Sequence, residues 1–283
     1  MLAPKPLVKI CGIRHLEDLQ MATEAGADFL GIILANSKRR VDLETAQAMA
    51  SWLRKYREDR EQGSTPVTTE VSPDPPTPTP PPPPTTTTTT TTTTNTNHID
   101  PDWFHSNARR LAQGPRPLLV GVFLNQPLAE ILDLAERIPL DMVQLHGTQE
   151  PAHWCLRIPR PVIRVFHVDA NFTDYDPIAR PGFYQVALLD AKVAGVAAGD
   201  QGGRGVAFDW ELTRPVMESK QPYGLAGGLN PDNVAAAVRM CRPWLVDVSS
   251  GVERGAGELR KDAEKVRRFV AEAKGTSTTP GPL

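Results

Sequence analysis

The sequence predicts a (β/α)8 barrel, and three observations predict it. Short apolar or β-branched runs alternate with stretches of helical spacing, and the alternation repeats eight times. The runs are nearly unbroken in apolar character, as parallel strands buried on both faces require. About 240 residues remain once one low-complexity segment is set aside, a usual size for such a barrel. A doubly wound open sheet is the alternative. It would carry a glycine-rich fingerprint after its first strand, and CGIRHLED has none.

The expected strands are LVKIC, ADFLGIIL, LLVGVFL, DMVQLH, PVIRVFHV, YQVALLD, YGLAGG and WLVDVSS. HLEDLQMATEAG follows the first, with Leu16, Leu19, Ala22 and Ala25 at helical spacing and Gly26 closing it. Helices are expected over Val41 to Tyr56 after the second strand and Gln126 to Arg137 after the third, the latter opening with Pro127. Thr148 to Arg157 and Phe208 to Glu218 follow the fourth and sixth. Asn171 to Arg180, after the fifth, is weakly helical. Asn230 to Cys241 follows the seventh, with Asn230 as N-cap and Pro231 next to it, and Glu258 to Lys274 closes the fold.

The segment 58–101, EDREQGSTPVTTEVSPDPPTPTPPPPPTTTTTTTTTTNTNHIDP, has no apolar periodicity. It cannot bury enough apolar surface to offset its ordering entropy and is expected to be disordered, with Pro80 to Pro84 locally extended. It reads as a tolerated insertion, or as a ligand for an SH3-like module whose identity the sequence does not give. It interrupts a single barrel domain between the second helix and third strand. In a barrel that is the N-terminal face, away from the usual site. The tail 275–283 is also expected to be disordered.

A formal net charge of −2 speaks against a general nucleic-acid binder. No run approaches the ~18 apolar residues of a membrane span, and the start shows no signal-like apolar stretch. A cytoplasmic protein is the expectation. Cys11, Cys155 and Cys241 are odd in number and scattered, which suits neither disulfides nor zinc. Cys155 and Cys241 lie in amphipathic stretches and read as small buried residues.

Barrel sites are built at the C-terminal ends of strands. Cys11 ends the first; Ser37, Lys38, Arg39 and Arg40 follow the second; Gln144 and His146 end the fourth; Asp190 ends the sixth. AGGLNP, with Gly227 and Gly228, and DVSSGVE, with Ser249, Ser250 and Gly251, follow the seventh and eighth. Backbone N–H groups of such turns suit a phosphate. The glycine-rich DQGGRGVAFDW, Asp200 to Trp210, reads as a mobile cover or as a plain connection. Cys11 as base and Asp190 as acid suit a proton shift, provided a positive field favours the thiolate and an apolar setting favours the carboxyl. Hydrolase constellations such as G-x-S-x-G and H-E-x-x-H are absent. His146 reads as a hydrogen-bonding residue, a ligand or a base; Asp247 reads as a buried carboxylate bonded to backbone or lysine.

VKICGIR, SKRRV, GVFLNQP, VQLHG, LLDAK, GGRGVAFDW, LAGGLNPDNV and VDVSSGVE, in this order, resemble the phosphoribosylanthranilate isomerases of tryptophan biosynthesis, from Val8 to Lys274. The resemblance implies the same barrel and an Amadori rearrangement of N-(5-phosphoribosyl)anthranilate, a phosphorylated small molecule, without metal or organic cofactor. It implies Asp190 as general acid and Cys11 as general base. Arg39, or its neighbour Arg40, would meet the anthranilate. Gln144 and His146 would line the substrate site, and the glycines and serines after the last two strands would hold phosphate. Cys11 in place of a second carboxylate implies a single substrate. The other expectations carried forward are an inactive phosphate-binding barrel serving as an interaction module, and a metal-dependent sugar-phosphate epimerase using His146 and carboxylates.

Overall fold

A computed structural model describes residues 5–62, 102–169, 171–191, 210–255 and 258–276. The strands are β1 (Leu7–Ile10), β2 (Phe29–Ile33), β3 (Leu118–Phe123), β4 (Met142–Leu145), β5 (Val162–Val168), β6 (Val186–Ala191), β7 (Tyr223–Ala226) and β8 (Leu245–Val248). All neighbouring pairs are parallel, and β8 returns to β1, closing the barrel in sequence order. Closure rules out the open sheet. The helices are α1 (Leu16–Glu24), α2 (Leu43–Gln62), α3 (Trp103–Gln113), α4 (Leu128–Arg137), α5 (Arg214–Glu218), α6 (Val234–Cys241) and α7 (Ala263–Ala273).

The strand period of two sorts side chains between two cores. Phe29, Val120, Met142, Ile163, Val165 and Leu188 pack with one another in one cluster. Ile10, Leu30, Leu119, Val143 and Leu189 join the helices in the other, against Leu19, Met49, Ile131, Val234 and Phe269. At the N-terminal face, Asp28 accepts from the Val8 N–H at 2.9 Å and pairs with Arg116 and Lys274, each at 2.8 Å. Asp141 there accepts from the Leu119 N–H at 2.7 Å and pairs with Arg57 at 2.5 Å.

Several expectations change. Helix α2 runs on to Gln62, so residues 58–62 are helical rather than part of an irregular insertion. Arg57 pins its last turns to Asp141, and Trp52 stacks on Tyr56 at 5.2 Å. Helix α3 was not expected; Phe104, Asn107, Ala108 and Leu111 form its buried stripe, so two helices fill the β2–β3 connection. Gly63 to Pro101 lie outside the described residues. After β4 the expected helix is a 3-10 helix, Ala152–Leu156, because Pro151 and Pro159 leave room for barely one turn. Of the expected 208–218 helix, the described residues divide into a 3-10 helix, Trp210–Thr213, and α5.

Asn230 does not cap α6. Its side chain accepts from the Asp232 and Asn233 N–H groups at 2.8 and 3.2 Å, forming a turn ahead of Val234. Helix α7 is capped by Asp262, which accepts from the Glu264 and Lys265 N–H groups. Gly275 and Thr276, expected in the tail, close that helix through bonds to Glu272 and Ala271. The rest of the tail and the Asp200 to Asp209 part of the glycine-rich loop lie outside the described residues.

Candidate active site

Two clusters of polar side chains stand at the C-terminal mouth. The first surrounds Cys11, the residue after β1, whose N–H continues the ladder to Val248 O at 2.8 Å. Two residues earlier on the same face lies Lys9, fully buried, with Nζ 2.8 Å from Asp247 Oδ2. The two are register partners across β1 and β8, so parallel pairing brings them together. Asp247 is thus the buried, lysine-bonded carboxylate expected of it.

Room for the thiol comes from Gly31 in β2. A Cβ there would lie 2.9 Å from Cys11 Sγ and 3.1 Å from Lys9 Nζ. Gly12 has φ +71°, and a Cβ on it would meet Ser249 Oγ at 2.8 Å and the Arg39 side chain at 3.0 Å. Gly31 answers to close approach alone, Gly12 to close approach and to backbone freedom.

Lys261, fully buried ahead of α7, donates to Ser249 O at 2.9 Å and lies 3.4 Å from Glu253 Oε1. Arg39 binds Glu253 with two donors, at 2.7 and 3.0 Å. Three cations therefore meet two carboxylates around one thiol. Burial pushes the Cys11 thiol above its ordinary value, against the opposing pull of Lys9 and Lys261. Burial would also neutralise Lys9, but Asp247 and Cys11 hold its pKa above the ordinary value. Lys261 is held below its ordinary value, chiefly by burial. Glu253 is drawn below the carboxylate range: burial opposes this, and the Arg39 and Lys261 contacts outweigh burial.

The second cluster surrounds Asp190 in β6. His146 Nε2, just beyond β4, lies 3.3 Å from Asp190 Oδ2; His167 Nδ1, in β5, lies 3.7 Å from the same oxygen. Gln144 Nε2 sits 3.2 Å from His146 Nδ1, and His167 Nε2 is 2.9 Å from His146 O.

Beyond β7, Gly227 and Gly228 both have positive φ, 89° and 64°. Beyond β8, Ser250–Val252 form a single 3-10 turn headed by Ser249. A Cβ on Gly251 would collide with Leu229 O, so the two loops touch through glycine. Every residue expected from sequence thus sits at one end of the barrel. Arg39 reaches over Gly12, whereas Arg40 is exposed. Sequence reasoning missed Lys9, Gly31, His167, Glu253 and Lys261. Lys9 and Gly31 had a signal: a charge two positions before Cys11 shares its strand face, and a glycine interrupts the apolar run FLGII.

Cys155 and Cys241 are buried thiols, as expected. Burial pushes Cys155 up to about 11, against the opposing pull of Arg164.

The sequence model of a family described as N-(5'phosphoribosyl)anthranilate (PRA) isomerase matches residues 84–272. A Geobacter metallireducens N-(5'-phosphoribosyl)anthranilate isomerase is 36% identical over 94% of this chain and 98% of its own. A multifunctional tryptophan biosynthesis protein of Phanerodontia chrysosporium is 40% identical over 95% of this chain. The chain spans about a third of the length of that protein and of similar multifunctional relatives. The crystal structure of the Thermotoga maritima phosphoribosyl anthranilate isomerase superposes with a TM-score of 0.64 at 30% identity, covering 95% of this chain and 99% of that one.

Proposed function

The chain belongs to the N-(5'-phosphoribosyl)anthranilate isomerase family, and from that premise we propose that it converts N-(5-phosphoribosyl)anthranilate to 1-(2-carboxyphenylamino)-1-deoxyribulose 5-phosphate by general acid–base catalysis. The observation that carries this reading is the pairing, at one barrel mouth, of a buried thiol set between two lysines with a carboxyl at the end of β6.

In this reading Asp190 gives its proton to the ribose ring oxygen. The bond from C1 to that oxygen breaks, and the anthranilate nitrogen's electron pair forms the C1=N iminium. The cation acidifies the proton at C2, which the Cys11 thiolate removes. The electron pair of the broken C2–H bond becomes a C1=C2 double bond and neutralises the nitrogen. The enol then loses its hydroxyl proton and gains one at C1, leaving a ketone at C2.

The difficulty is the thiol, held high by burial. The cluster's excess of one cation and the iminium's positive charge favour the thiolate when it is needed. Arg39, fixed in plane by Glu253, sets the orientation in which an aromatic acid stacks on or bonds to its guanidinium. Gln144 and His146 line the sugar side. Gly227, Gly228, Ser249, Ser250 and Gly251 hold the phosphate, chiefly through backbone N–H groups.

Growth without tryptophan of a host lacking the isomerase tests the reading. The chain should restore growth, and Asp190→Asn should fail to, with purified turnover reduced about 10²–10⁴-fold. Full turnover by Asp190→Asn would remove the acid from this scheme.

A further inference from the structure

We propose that His146, His167 and Asp190 form a binding site for a borderline-soft divalent cation, zinc above all, and that its occupancy inhibits the enzyme. The inhibitory half rests on Asp190 being the general acid; the binding half does not. Among the described residues this is the only group of three His, Cys, Asp or Glu side chains whose ligand atoms converge, all lying within 4.8 Å of one another.

The spacing fits a metal. Ligands about 2.0–2.2 Å from a tetrahedral zinc lie about 3.3–3.5 Å apart. Two edges of that figure stand at 3.3 Å and 3.7 Å, both meeting on Asp190 Oδ2. The third, between the two imidazoles, lies within 4.8 Å. The two-imidazole, one-carboxylate donor set suits zinc and its neighbours and leaves coordination positions open toward the mouth.

The surroundings orient the donors. His167 Nε2 lies 2.9 Å from the carbonyl oxygen of His146, which only accepts, so this nitrogen carries the hydrogen. In the neutral ring the lone pair is then on Nδ1, directed at Asp190. A ring N–H donated to a backbone carbonyl is the usual support of a metal-bound imidazole. His146 ligates through Nε2 once its hydrogen is on Nδ1, and Gln144 supplies the acceptor. That side chain is 1% exposed, and its Oε1 is buried with no hydrogen-bond partner. Exchanging the amide ends, which differ little in shape, puts this oxygen on His146 Nδ1–H.

A cation bound here takes the electron pairs of Asp190 and blocks its proton donation to the ring oxygen. Zinc should therefore compete with the substrate. The rearrangement as written moves no proton through His167, but its ring lies against Asp190, so inhibition of each variant is read against that variant's own zinc-free turnover.

The test measures zinc binding by competition with a colorimetric chelator, and turnover separately, on the full chain. The wild type should bind zinc at one site and lose at least about tenfold in turnover at saturating zinc, with EDTA restoring it. His167→Phe should bind zinc at least about tenfold more weakly and, measured against its own zinc-free turnover, resist inhibition. His167→Cys, which replaces one ligand by another, should bind zinc and stay inhibitable. That contrast separates lost ligation from disturbed packing. Equal binding and inhibition in wild type and His167→Phe would overturn the proposal and move the metal elsewhere, Cys11 included. Zinc binding that depends on His167 but leaves wild-type turnover untouched would overturn the inhibitory half and count against Asp190 as the acid.

Discussion

The two ends of the barrel both carry buried charge, but they use it differently. At the N-terminal face Asp28 and Asp141 accept backbone N–H groups and pair with Arg116, Lys274 and Arg57. Those cations reach solvent: the Arg116 and Lys274 side chains are 33% and 25% exposed. Water screens them, and the carboxylates serve as ties between strands, helix ends and loops. At the C-terminal mouth Lys9 and Lys261 have no exposure at all. There the charges are unscreened, and their balance leaves one cation over beside a thiol. The first arrangement holds the strand ends in register. The second surrounds a thiol that burial holds above its ordinary value with cations that pull it the other way.

Substitutions at matched positions should break the two ends differently. The largest effect is expected for Lys9→Met. It strands Asp247 in the interior and should cost about 3–5 kcal/mol of stability, read by urea denaturation. It also strips the thiol of its nearest cation. The thiol's pKa then climbs further, so the limb of the pH–rate profile that rises with thiolate formation should move to higher pH. The double variant Lys9→Met, Asp247→Leu removes both charges. It should recover much of the stability while leaving the pH limb displaced in the same direction by less, since Asp247 itself raises the thiol, and this separates folding from chemistry.

At the other end, Asp28→Asn should cost about 1–3 kcal/mol of stability with turnover unchanged. A fall in turnover matching that of the mouth variants would erase the contrast between the two faces. The smallest effect is expected for deletion of residues 63–97. The segment connects α2 to α3 ahead of β3, where a barrel loop falls on the face opposite the mouth, so turnover should stay within about twofold and stability within about 1 kcal/mol. A collapse of activity with the fold intact would show that the segment serves the site.

Much of the fold was legible because apolar strands separated by amphipathic helices leave a pattern that survives without coordinates. Helix α3 was overlooked although WFHSNARRLAQ carries that pattern, because it follows directly on a segment without any. The turn after β4 misled for the opposite reason: HWCLRI has apolar spacing, but the prolines around it cut the helix short. Of the site, the residues that end strands were legible, since chain order places them at the mouth. Lys9 is inside a strand, where charge is unusual, and only its register partner Asp247 accounts for it. Glu253 and Lys261 come from the chain beyond β8 and reach Arg39 and Ser249 through folding alone. His167 sits in VIRVFHV, a run that reads as apolar strand, and its proximity to Asp190 follows from the β5–β6 pairing of these two residues.

Cys11→Ala is the most direct test of the central claim, that the thiol at the end of β1 is the base. Turnover of N-(5-phosphoribosyl)anthranilate should fall about 10²–10⁴-fold, while the purified variant still binds the product. Near-normal turnover by Cys11→Ala would contradict it.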